Sequence, residues 1–181
     1  MKIARLFAAT IMAAMAFGTA DAGKNAGATV EIDWDATTPR IESKCGSGDE
    51  IALAVRLNGL VDLTGYFVSL EYDTSKVRMI EVLKQAPGER AFIESSGGKA
   101  APLMIVPTTG KVEIAAGIVR ADTAQAPDGS GVLVYARFAR KQWSEDCPIK
   151  VVTVQLSDIN GAVDTVFSEK SNSAMVNKEN Q

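Results

Sequence analysis

The chain contains no histidine and only two cysteines, Cys45 and Cys147, among its 181 residues. The commonest general base and the commonest transition-metal ligand are therefore missing, and two thiols alone do not build a structural zinc site. Aromatic side chains are sparse as well: two Trp, three Tyr and six Phe. No basic cluster stands out and the formal net charge is -3, which gives nucleic acid and anionic membrane surfaces no electrostatic footprint. Beyond Phe17 no apolar run approaches the roughly 20 residues that span a bilayer, so no membrane anchor is expected.

What is present begins with a processing signal. Lys2 and Arg5 precede an apolar stretch from Leu6 to Phe17, and Ala20-Asp21-Ala22 supplies the small residues that signal peptidase needs. Residues 1–22 read as a signal peptide and residues 23–181 as one exported domain, secreted to the periplasm or the medium. In an exported chain, Cys45 and Cys147 read as one disulfide, the alternative being two unpaired thiols. Such a bridge would close a loop of about 100 residues and contribute roughly 4–5 kcal/mol in chain-entropy models.

The exported part alternates short apolar runs with polar turns. Strands are expected at Thr29–Asp33, Glu50–Asn58, Gly65–Tyr72, Val77–Leu83, Leu103–Pro107, Lys111–Val119, Gly131–Arg140 and Val151–Asp158. Period-two alternation turns Ile51, Leu53, Val55 and Leu57 inward, with Ala52, Ala54 and Arg56 outward. In the same way Val112, Ile114, Ala116 and Ile118 face in, as do Val132, Val134, Ala136 and Phe138. Asn58-Gly59, Pro87-Gly88, Thr109-Gly110, Pro127-Asp128-Gly129 and Asn160-Gly161 punctuate the runs. Many short alternating strands with such turns mean an all-β sandwich or barrel. A short helical turn is expected near Ala91-Phe92-Ile93, an edge strand around Ser173–Val176, and mobile segments over Gly23–Gly27 and Ser171–Gln181.

The stretch from Leu63 to Met79 is the most informative. Tyr66, Val68, Leu70 and Tyr72 share one strand face, Asp73 starts a polar turn, and Val77 and Met79 resume the alternation. This run resembles the strand-turn-strand of cohesin modules, with Thr74-Ser75 in place of the usual proline after the Tyr-Asp pair. Gly131-Val132-Leu133-Val134-Tyr135-Ala136-Arg137-Phe138 is similar to the family's G-V-L-A-x-I-x-F strand. Leu156-Ser157-Asp158-Ile159-Asn160-Gly161 resembles its L-S-D-x-x-G region, and Asp49-Glu50-Ile51 its approach to the second strand. The resemblance covers roughly Thr29 to Val166. It implies a nine-stranded antiparallel β-sandwich of jelly-roll topology, with sheets ordered 9-1-2-7-4 and 8-3-6-5. In that topology strands 2 and 7 are antiparallel neighbours, which brings Cys45 and Cys147 to the same end of the sandwich.

The resemblance also implies a function: non-catalytic binding of a dockerin-type protein partner on the 8-3-6-5 face. Alternation sends Phe67 outward on strand 3, and an exposed aromatic at the centre of a sheet is the kind of anchor that dominates an interface. Ser69 and Glu71 share its outward row, with Glu113 and Ala115 beside them on strand 6. No cofactor is expected. Asp33-Trp34-Asp35 and Asp158-Ile159-Asn160 could lend oxygens to calcium, but neither fits the twelve-residue loop, and the resemblance places calcium on the partner. Two rivals share the fold. A carbohydrate-binding module would need a polysaccharide platform from Trp34, Trp143, Tyr135 and Phe67. A structural or adhesive envelope module would use its sheet edges.

Overall fold

The computed structural model describes residues 22–38, 40–119 and 126–168. The expected signal peptide up to Asp21, the tail Ser171–Gln181 and the edge strand around Ser173–Val176 lie outside the described residues. Among the described residues nine strands follow in chain order: β1 (Thr29–Asp33), β2 (Glu50–Leu60), β3 (Leu63–Tyr72), β4 (Val77–Leu83), β5 (Met104–Thr108), β6 (Lys111–Gly117), β7 (Gly129–Arg140), β8 (Ile149–Asp158) and β9 (Val163–Ser168). A 3-10 turn at Phe92–Glu94 stands where a helical turn was expected. The strands form an antiparallel sandwich of two sheets, β1-β2-β7-β4 and β5-β6-β3-β8-β9.

Alternating side chains from both sheets meet in one core. Ile51, Leu53, Val55 and Leu57 of β2 pack there with Tyr66, Val68 and Leu70 of β3 and Val112 and Ile114 of β6. Phe138 of β7 is fully buried, its ring 5.3 Å from that of Tyr72. The disulfide Cys45–Cys147 joins the segment before β2 to the segment after β7, with Cα atoms 5.5 Å apart. Antiparallel β2–β7 pairing, with Glu50 opposite Ala139, is what brings those two segments together.

Two expectations need correction. The resemblance implied that the last strand would border strand 1, yet β9 pairs with β8. The reason is local. The Asp158 carboxylate accepts the amides of Asn160 (2.8 Å) and Ala162 (3.1 Å), and Gly161 adopts φ 80°. The resulting tight hairpin returns the chain beside the strand it has just left. In β7, Val132 was expected inside. Val55 pairs with Val134 but Arg56 pairs with Val132, which leaves Leu133 as a bulge. Leu133 drops into the core, and Val132 moves to the outer face beside Tyr135.

The centre of that outer face of the four-stranded sheet is covered. Ala52 and Ala54 point away from the main core, as expected, but are only 2% and 0% exposed. They form a second cluster with Ala86, Val132 and Tyr135, against which Ala36 packs. The Ala36 amide donates to the Ala52 carbonyl at 2.7 Å, which pins the β1–β2 connection over the sheet.

Candidate functional site

The outer face of the five-stranded sheet is built around β3. Opposite Gly65, Phe67, Ser69 and Glu71 stand Gly117, Ala115, Glu113 and Lys111 of β6. On the other side, Ser157, Gln155, Thr153 and Lys150 of β8 face the same four residues. Phe67 lies outside the core, half-buried, between Ala115 and Gln155. A depression of about 320 Å³ opens beside it, lined by Gly65, Phe67, Gln155, Ser157 and Val163 among others. Gly65, which carries no side chain, helps to leave that flank of the ring uncovered.

Glu71 is exposed, and Glu113 and Ala115 are half-exposed on this face. Ser69 does not join them at the surface. It is 3% exposed, and its hydroxyl has no hydrogen-bond partner among the described residues. A short side chain with Glu113 on one side and Thr153 on the other is shielded by its longer neighbours, so Ser69 supports the face from beneath. Lys111 Nζ donates to Glu113 at 2.7 Å, and that contact raises the lysine pKa. The pair is exposed enough to act as a rim and to contribute little to stability.

The structure adds side chains that sequence reasoning passed over. Met104 and Val106 of β5 lie opposite Ala115 and Glu113 and are 59% and 44% exposed. They extend the apolar strip from Phe67 across Ala115 to the sheet edge. The run Met104-Ile105-Val106 is apolar throughout, so it carries no alternation to separate inward from outward. Val163 of β9, 50% exposed, bounds the other side.

The four aromatics considered for a sugar platform do not share a surface. Tyr135 is 3% exposed beneath the covered face of the four-stranded sheet, and Trp34 packs against the main core. Trp143, 63% exposed, sits in the β7–β8 connection, while Phe67 belongs to the other sheet. Among the described residues, no group of three or more Cys, Asp or Glu is arranged to hold a metal ion.

Comparison with known proteins separates fold from sequence. No protein-family model matches the chain. No curated protein matches it either. Solved structures do. The second type II cohesin module of the ScaA scaffoldin of Acetivibrio cellulolyticus superimposes with a TM-score of 0.59 at 13% identity, over 75% of this chain and 82% of that one. The fold is cohesin-like. The sixth cohesin of scaffoldin B from the same organism, solved with a Cel5 dockerin, gives 0.54 at 15% identity, over 79% of this chain and 93% of that one. A type I cohesin–dockerin complex from Clostridium thermocellum gives 0.55 at 12% identity, over 82% and 90%. At such identities the cohesin-like architecture is shared while the surface residues are this chain's own.

Proposed function

We propose that this chain is an exported, non-catalytic protein-binding module that docks a dockerin-type partner on the outer face of its five-stranded sheet. One observation carries the choice of surface. Of the two outer sheet faces, one has its centre covered by Ala36, Ala86 and their connections, which leave a cleft lined by the charged Asp33, Arg40, Arg56 and Glu89, and the other is open with an apolar centre. Phe67 is the anchor, Ala115, Met104 and Val106 extend the apolar contact, and Glu71 and Glu113 form the polar rim. Two solved cohesins of the same fold are held in complexes with dockerins, which supports a protein as the partner. The N-terminal processing signal and the Cys45–Cys147 disulfide support export. Calcium, where it takes part, belongs to the partner.

The test is a pull-down from the secreted fraction with and without a chelator, followed by calorimetry on the captured protein. Phe67→Ala should leave folding intact and weaken binding by about 2 kcal/mol, as removal of an anchor aromatic does. Unchanged affinity in that variant would remove Phe67 from the site. Retention on polysaccharide without any protein partner would replace the reading with the sugar-binding one.

A further inference from the structure

At the opposite pole from the disulfide loops, two carboxylates turn inward beneath the start of the described chain. Asp158, at the end of β8, is 2% exposed, and Asp164 of β9 is 8% exposed. Three successive backbone amides converge on them. Gly23 N donates to Asp164 Oδ1 at 2.9 Å, Lys24 N to Asp158 Oδ2 at 3.1 Å, and Asn25 N to Asp164 Oδ2 at 3.0 Å. Asn25 is fully buried, and its side-chain carbonyl accepts the Val61 amide at 2.9 Å, so the start of the Gly23–Gly27 segment, expected to be mobile, is instead tied to the β2–β3 connection. The other charges here are Lys24, whose Nζ pairs with Asp62, and Asp128, which accepts the Asp62 amide. Among the described residues Asp164 makes no salt bridge. A nearly buried carboxylate without a counter-ion is costly, and a pairing cation offsets that cost.

Gly23 is also the one residue type that fits. A Cβ built on it would lie 2.4 Å from Asp164 Oδ2 and 3.0 Å from the Ala162 side chain. The nitrogen that touches Asp164 therefore belongs to the residue that follows Ala20-Asp21-Ala22, the small-residue cleavage pattern.

We infer that proteolytic removal of residues 1–22 converts the Gly23 amide nitrogen into an α-ammonium that pairs with the Asp164 carboxylate, so that maturation itself completes the fold. Hydrolysis of the Ala22–Gly23 peptide bond consumes one water and leaves a carboxylate on Ala22 and an ammonium on Gly23. That ammonium keeps the hydrogen bond to Oδ1 and adds a full positive charge to it, the stronger kind of contact. The site is independent of whatever the sheet face binds. It makes Gly23 the required first residue, because one further residue would replace the charged group by a neutral amide.

Two chains, released from a cleavable tag to begin at Gly23 or at Ala22, test this by thermal unfolding. The chain beginning at Gly23 should melt about 4 °C higher, the size expected of a partly buried charge pair in a domain of this length. In the Asp164→Asn background the two should melt together. The α-amine of folded wild type should also react with an acylating reagent more slowly than the same amine after unfolding, a measurement that needs no variant. The chain exported from a signal-processing host should begin at Gly23 by mass spectrometry. Equal melting of the two wild-type chains, an amine equally reactive when folded, or a mature terminus at another residue would overturn the inference.

Discussion

Phe92 packs directly over Gly131: a Cβ at position 131 would lie 2.4 Å from Cδ2 of the ring and 2.5 Å from Cγ. Phe92 belongs to the 3-10 turn between β4 and β5, and Gly131 stands near the start of β7. Phe92 and Ile93 are 8% and 1% exposed. This contact is what lets the long irregular connection close one end of the core. Glu94 holds the turn from the outside, accepting from Lys84 Nζ at 2.7 Å and the Ala100 amide at 3.2 Å.

Gly131→Ala should accordingly destabilise the fold by about 1–3 kcal/mol, the usual cost of forcing extra volume into a filled site. Pairing it with Phe92→Leu should recover part of the loss, since the two residues share one contact. Urea unfolding of the single and double variants measures both.

The Cys45–Cys147 bridge spans 102 positions of sequence. Reduction, or replacement of both cysteines by alanine, should lower stability by about 4–5 kcal/mol if the entropy of the unfolded chain dominates. Chemical denaturation with and without reductant reads this directly. The nearby β2–β7 pairing should survive in the reduced protein, because it rests on a ladder running from Glu50 to Leu60.

The Tyr66 hydroxyl is buried without a hydrogen-bond partner among the described residues, and burial pushes its pKa well above the ordinary tyrosine value. Tyr66→Phe should therefore leave stability unchanged or raise it by up to about 1 kcal/mol, since it removes an unsatisfied group. In alkaline spectrophotometric titration, one tyrosine of the wild type should ionise only when the protein unfolds, and that step should vanish in the variant.

Asp158 links stability to acid. Burial opposes its ionisation, but the amides of Lys24, Ala162 and Asn160 and the charge of Lys24 outweigh burial and hold its pKa below the ordinary aspartate value. A carboxyl depressed on folding contributes stability that is present above its unfolded pKa of about 4 and lost as pH falls through the folded value. Asp158→Asn should be less stable than wild type at pH 6, and the gap should shrink steadily below pH 4. Denaturation midpoints across that range supply the comparison.

On the proposed docking face, Ser69→Ala should leave partner affinity unchanged, because the hydroxyl lies beneath the surface. Ala115→Arg should weaken affinity at least tenfold by placing a long charged side chain beside Phe67, with little change in melting temperature. Parallel calorimetry and thermal unfolding separate the two effects. Loss of binding in Ser69→Ala at full stability would mean the face is read more deeply than its exposed side chains suggest.

Most of the sandwich was legible wherever one side of a strand met the core and the other met water. β1 and β4 fall where alternation put them, and β2, β3, β6, β7 and β8 differ only at their ends. β9 was hidden because Asp164 occupies an inward position, opposite Leu156, and breaks the apolar pattern. The Leu133 bulge was invisible for a related reason: Val132, Leu133 and Val134 are all apolar, so no residue marks the reversal. Phe67 could be sent outward by counting along one strand. The burial of Ser69 could not, since it depends on what stands on β6 and β8.

Local chemistry in the chain alone thus determined most of the strands, their turns and, apart from the reversal at Leu133, the inward set of the core, because backbone geometry fixes a period of two without reference to distant residues. The pairing of the two cysteines followed from their number and the resemblance of the order around them. Only the tertiary structure decided which sheet receives β9, which outer face is covered and which stays open, and which nitrogen meets Asp164. Each of those outcomes depends on contacts between residues far apart in the chain, and such contacts leave no periodic trace in either partner's sequence.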